Sequence, residues 1–260
     1  MASSADETGI LDQLVAMSQA LGDPARDYVI LGEGNTSARV GEDRMWVKAS
    51  GASLCNISAE GFVQVRRDKV LEMFDAGELS DSEVERGLRD AMLDSSSKRR
   101  PSVETLFHAY FLGLEGVNFV GHTHPTAVNA ILCSRYGREA VAGRIYPDEI
   151  VVCGVCPLFV DYVDPGVPLA RAIREATQRY IEEHGGPPRS VLMQNHGLIA
   201  LGSTPAQVEA ITATWVKTAR IIAGAMAFGG PRFLSDDNVT RICSRSDEHY
   251  RHRGMTGAKQ

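Results

Sequence analysis

Apolar positions along this chain change their period several times, and each change marks an element. Ile10, Leu11, Leu14, Val15 and Leu21 recur at three- to four-residue spacing and predict an amphipathic helix over 8–22, ending near Gly22. Tyr28–Leu31, Asn35–Val40 and Met45–Lys48 are short strand-like runs separated by Gly32-Glu33-Gly34 and Gly41-Glu42-Asp43, which predicts a meander. Phe62–Val65 alternates like a half-buried strand, Lys69–Phe74 reads as a short helix, and Ser80-Asp81-Ser82-Glu83 is a capping box opening a helix to about Leu93. Ser102 stands where it can cap a further helix, with Glu104 in the first turn, where the helix dipole favours an acid. Beyond it, Phe119–His124, Ile150–Val152, Leu158–Val160, Val191–Met193 and Leu198–Gly202 are predicted strands. Thr126–Leu132 and Leu169–Glu183 are predicted helices, and Thr204-Pro205-Ala206-Gln207 opens a long one running to about Phe228.

Composition narrows the class. At 260 residues, with no Pro/Gly/Ser-rich linker, residues 1–240 are expected to form a single domain and 241–260 a polar, mobile tail. A net charge of −6 argues against nucleic acid as a partner, because charge-driven phosphate binding needs a basic face. No apolar stretch approaches membrane-spanning length and no basic region precedes an apolar run at the start, so a cytoplasmic, membrane-free protein is expected. The five cysteines are odd in number and scattered, which predicts reduced thiols; Cys153-Gly-Val-Cys156 has no second pair to complete a zinc knuckle.

Candidate chemistry centres on Phe119-Val120-Gly121-His122-Thr123-His124-Pro125. Histidines at i and i+2 of a strand share a face and lie about 6.5 Å apart along the chain, close enough for one ion. Pro125 ends the ladder there. A polar break, Gln194-Asn195-His196-Gly197, interrupts two apolar strands and is costly unless its groups find partners. His122, His124 and His196 together would supply three nitrogen ligands, for which zinc is the commonest ion, and leave a coordination position open for catalysis. Glu104, facing the same cleft, would transfer protons. The loop Ala49-Ser50-Gly51-Ala52-Ser53 suits either an anion or a plain turn.

Gly34-Asn35-Thr36-Ser37, Lys48-Ala49-Ser50-Gly51, Pro101-Ser102-Val103-Glu104, Gly121-His122-Thr123-His124-Pro125 and Gln194-Asn195-His196-Gly197-Leu198-Ile199-Ala200 occur in an order that resembles the class II aldolase/adducin family. The resemblance covers roughly 10–230 and is closest to the fuculose- and rhamnulose-phosphate aldolases. It implies a single three-layer α/β domain, with a central, largely antiparallel sheet covered by helices on both faces, and a homotetramer with sites between subunits. It also implies that His122, His124 and His196 bind Zn2+, with Mn2+ as the alternative, and that Glu104 is the acid/base, a role that a raised pKa would suit. The substrate would be a ketose 1-phosphate, cleaved between C3 and C4 to dihydroxyacetone phosphate and an aldehyde, with the enediolate charge offset by the cation.

By the same resemblance Asn35, Ser50, Gly51 and Ser102 hold the phosphate, although Val103 stands where a second serine is expected, and Lys48 is placed to compensate. Tyr146 matches a tyrosine that protonates the departing aldehyde in a neighbouring subunit's site, with Tyr250 a weaker match. Pentulose-phosphate 4-epimerases, metal-dependent decarboxylases and non-catalytic adducin heads share the family and stay open as alternatives.

Overall fold

The computed structural model describes residues 4–247. In chain order the elements are α1 (Ser4–Leu21), β1 (Asn35–Val40), β2 (Arg44–Lys48), β3 (Phe62–Arg66), α2 (Arg67–Asp75), α3 (Asp81–Asp90), α4 (Thr105–Phe111), β4 (Phe119–Thr123) and α5 (Thr126–Leu132). Then follow α6 (Gly137–Val141), α7 (Pro147–Cys153), β5 (Leu158–Val160), α8 (Val167–His184), β6 (Ser190–Met193), β7 (Gly197–Gly202), α9 (Pro205–Ala225) and α10 (Asp236–Cys243). Among the described residues the strands form one seven-stranded sheet in the order β3-β2-β1-β4-β7-β6-β5. Every neighbouring pair is antiparallel except β5 and β6. This is the expected three-layer α/β architecture.

Strand alternation divides the core in two. Met45, Val47, Val63, Val65, Val120, Ile199 and Leu201 face α2, α3, α4 and α8, and Ala38, Phe119, Leu192, Leu198 and Ala200 face α1, α5, α7 and α9. On β4 this parity puts His122 on the α4 side with Val120. Gly121 points the other way, where a Cβ would lie 2.6 Å from Val208 and 3.0 Å from Leu21. Gly121 therefore lets α1 and α9 close over the sheet.

Several local signals hold as read. The Glu83 carboxylate accepts the Ser80 backbone N–H at 2.8 Å and Thr204 Oγ1 accepts from the Gln207 N–H, so both capping devices start their helices. Three readings need correction. Ile150–Val152 lies in α7, not a strand, because Pro147 at its first position, Asp148 and Glu149 in its first turn and Gly154 at its end (φ 87°) supply helix start and stop signals. Its side chains are buried on both faces, Ile150 and Val151 against α10 and Val152 against the main core, so no apolar stripe betrays the helix. Tyr28–Leu31 forms no strand: Leu31 takes a left-handed conformation (φ 51°) and Ile30 and Leu31 are exposed. Ser102 does not cap α4; Glu104 occupies the N-cap place with its side chain turned elsewhere.

α10 runs across residue 240, where the tail was expected to start, and Ile242 packs on Ile150 and Val151. Residues 248–260, including Tyr250, lie outside the described residues. Among the described residues no helix is long and apolar enough to cross a membrane.

Candidate metal centre

The centre forms where β4 ends beside the β6–β7 turn. Asn35 pairs with His122, and Thr123 pairs with Leu198, so the two strands flanking β4 bring the start of β1 and the start of β7 to the same end of the sheet. The polar break in the apolar run is a tight turn: Met193 pairs with Gly197, Asn195 is left-handed (φ 53°), and His196 N–H donates to the Met193 carbonyl at 3.2 Å. Asn129 of α5 donates to the His196 carbonyl at 3.0 Å, which ties the turn down. The polar groups of the break thus find partners in backbone and in α5.

This turn carries His196 to His122 on β4 and to His124, the residue just past the end of that strand. Ring centroids of His122, His124 and His196 lie 4.7–5.2 Å apart, and one ligand nitrogen from each falls within 4.8 Å of the others. A tetrahedral ion with ordinary zinc–nitrogen bonds would set its ligand nitrogens about 3.3 Å apart; His122 Nε2 and His124 Nε2 already stand at 3.0 Å. His122 Nδ1 donates to the Leu198 carbonyl at 3.1 Å, which leaves the lone pair on Nε2 directed at the cluster. Burial, aided by the charges of His122 and His196, pushes His124 down to about 3, so it stays neutral, the form a metal requires. The residues fit a divalent ion with an open position.

Close packing makes the site depend on Gly197. A Cβ there would lie 2.6 Å from the Thr123 carbonyl oxygen, 2.7 Å from His124 Cδ2 and 3.3 Å from His122 Cε1. Gly197→Ala is therefore expected to displace β7 from the histidine strand, costing about 1–3 kcal/mol. Urea titration and metal content of the purified variant measure the two effects; native metal affinity would contradict the packing argument.

Glu104 completes the cluster. Its Oε1 lies 3.2 Å from His196 Nε2 and 3.5 Å from His122 Nε2, while Oε2 accepts the Asn35 amide N–H at 2.5 Å. Burial works to raise its pKa, but the charges and hydrogen bonds of His122 and His196 prevail, and the carboxyl sits well below its usual range. A raised pKa, which would have suited an acid/base role, is not what the site gives: the interactions with His122 and His196 outweigh desolvation, and Glu104 is held as a carboxylate at neutral pH.

One member escaped the sequence reading. His108, one helical turn after Glu104, is fully buried; its Nε2 meets Asn35 Oδ1 and its Nδ1 lies 2.7 Å from Ser37 Oγ. The available signal was the i, i+4 spacing of Glu104 and His108 on one helix face. Burial, with a contribution from the His122 charge, pushes His108 down to about 3. Because its unfolded-state value is near 6.5, the unfolded chain binds a proton that the folded chain refuses between about pH 6.5 and 3. Stability from this group is present above pH 6.5 and falls as pH drops, by roughly 1.4 kcal/mol at pH 5.5. Denaturation at pH 7.5 and 5.5 should include that loss, and His108→Gln should shrink the difference by about as much, leaving the similar share from His124.

The remaining expected site residues divide. The Asn35 side chain is engaged by Glu104 and His108, not directed at the small loop. That loop and the segment before α4 lie together: Ala49 bridges Pro101 and Ser50 N–H donates to the Arg100 carbonyl at 2.8 Å. Gly51 is left-handed (φ 79°), and the Ser102 hydroxyl is buried with no hydrogen-bond partner. Lys48 is buried beneath the loop and donates to the Ala52 carbonyl at 2.6 Å and that of Gly32 at 3.2 Å. Burial lowers its pKa and Glu104 partly offsets that. Tyr146 is not brought to the histidines of its own chain: its hydroxyl meets Thr218 Oγ1 at 3.0 Å on α9, and burial pushes it up to about 12.

Residues 12–223 match the family described as the Class II Aldolase and Adducin N-terminal domain. The chain belongs to this family. An uncharacterized oxidoreductase of Bacillus subtilis, YuxG, is 32% identical over 202 residues, which cover 75% of this chain; the chain spans 27% of that relative. A putative aldolase/epimerase/decarboxylase from Klebsiella pneumoniae, YgbL, shares the fold at a TM-score of 0.69 and 21% identity, covering 91% of this chain and 98% of that one. An L-fuculose 1-phosphate aldolase shares it at 0.68 and 21%, covering 94% and 96%. Within this family fold, the cluster of His122, His124 and His196 is one that could hold a divalent metal ion.

Proposed function

We propose that this class II aldolase-family chain is a metal-dependent carbon–carbon lyase. It cleaves a ketose 1-phosphate, or a deoxy or substituted analogue, to dihydroxyacetone phosphate and an aldehyde. The convergence of three imidazoles with the Glu104 carboxylate carries this reading. His122, His124 and His196 would hold a divalent cation, zinc with manganese as the alternative, which when bound would supply Lewis acidity to offset the negative charge left by the breaking bond. Oε1 of Glu104, the oxygen turned to the histidines, accepts and returns the substrate proton.

The phosphate is assigned to the Ser50 hydroxyl, the Gly51 backbone N–H and the unpartnered Ser102 hydroxyl, the Ser50 N–H being already given to the Arg100 carbonyl. Lys48 stiffens that loop by binding two of its neighbouring carbonyls and adds positive charge. Asn35 is assigned to Glu104, because its amide is already engaged there. Tyr146 would act only across a subunit boundary, in the tetramer that the resemblance implies. The cytoplasm is the expected compartment.

Val103, exposed beside the proposed phosphate loop and without a hydroxyl, favours a second reading in which the substrate is a keto or aromatic acid that loses carbon dioxide. A 4-epimerase would use the same centre, whereas an adducin-like scaffold would not need it. A panel of ketose 1-phosphates coupled to detection of dihydroxyacetone phosphate tests the lyase. Turnover that stops on chelation is the expected result; carbon dioxide release without triose phosphate would select the decarboxylase.

A further inference from the structure

We propose that His108 is a positioning residue for Glu104, acting through the Asn35 amide; this rests on the acid/base reading of Glu104. Ser37 and Asn35 stand two residues apart on one face of β1 and bracket the imidazole, one at each ring nitrogen. Phe107 stacks on the ring at 4.9 Å and 23° and holds its plane. The chain Ser37–His108–Asn35–Glu104 then has a single consistent polarity.

A carboxylate only accepts hydrogen bonds, so Asn35 must turn its NH2 to Glu104 Oε2 and its Oδ1 to His108. His108 must therefore carry its proton on Nε2, leaving Nδ1 bare, and Ser37 Oγ–H donates to it. Reversing any link would set the amide carbonyl against the carboxylate. Full burial keeps the imidazole neutral, so it cannot become a donor at both ends. The consequence lies at Glu104: Oε2 is tied, and Oε1 is the oxygen left to face His122 and His196. His108 thus fixes which carboxylate oxygen takes the proton without touching substrate.

The zinc-loaded, full-length protein labelled with 15N-histidine tests this by long-range proton–nitrogen correlation. His108 is expected as the neutral Nε2–H tautomer throughout pH 6–8; an Nδ1–H tautomer, or an imidazolium in that range, overturns the proposal. A second measurement compares His108→Gln, whose amide can still donate to Asn35, with His108→Leu, which cannot. Exchange of carbon-bound protons of dihydroxyacetone phosphate in D2O should fall about 10- to 100-fold in His108→Leu and about threefold or less in His108→Gln, with zinc retained in both. Equal losses overturn the positioning role. If the wild-type chain exchanges no proton from dihydroxyacetone phosphate, the lyase reading fails, and the tautomer still decides the polarity of the chain.

Discussion

His196→Ala protein should purify without its divalent ion and lose more than about 100-fold of its metal-dependent turnover, while unfolding at nearly the wild-type urea concentration. The expected split between function and stability follows from where His196 sits. It belongs to a surface turn whose backbone is held by Met193 and Asn129, neither of which needs the imidazole. Removing the ring leaves two imidazoles, which bind an ion far more weakly than three. The buried His122 differs: its loss also strips a partner from the Leu198 carbonyl and opens space beside Phe107, so His122→Ala should add about 1–3 kcal/mol of instability. Metal analysis, circular dichroism and urea titration of both variants check this. A His196→Ala protein that still holds one ion per chain would remove the basis of the proposed centre.

Glu104→Gln should keep the ion and lose about 10²- to 10⁴-fold of turnover, the range typical of a missing general acid/base. The amide has nearly the shape of the carboxylate, so packing against Asn35 and the histidines survives, but its oxygen no longer accepts a proton. One further effect is expected. Glutamine presents an NH2 as well as an oxygen, and Asn35 can meet it with either end, so the oriented chain through His108 loses the anchor that sets its direction. Metal content with steady-state kinetics on the responsive ketose phosphate decides the first point: unchanged turnover would reject Glu104 as the proton carrier. An adducin-like scaffold would show neither effect, since it would have no turnover to lose.

Chemistry was more legible in the sequence than geometry. His122, His124 and His196 could be read as a ligand set because two of them share one strand face and the third interrupts an apolar run, both local patterns. Glu104 could be read as an acid at a helix start, and its environment could not: whether burial or neighbouring charge wins depends on His122 and His196 standing 3.5 and 3.2 Å away. The same limit explains Asn35. Its motif pointed to a phosphate, and only the packing of α4 on β1 shows that its amide is spent on residues 69 and 73 positions away.

By itself the sequence determined the strands from Asn35 to Arg66, the capped helices α3 and α9, the strand that leads into His122 and His124, and the residue types gathered at the candidate centre. Those features arise from side-chain period, caps and glycine placement, which act over a few residues. The tertiary structure alone decided that Ile150–Val152 is helical, that Tyr28–Leu31 stays out of the sheet, and that His108 and Ser37 stand behind Glu104. An apolar run buried on all sides has no period to read, and a hydrogen bond between a strand and a helix over 70 residues apart exists only after the sheet and α4 have docked.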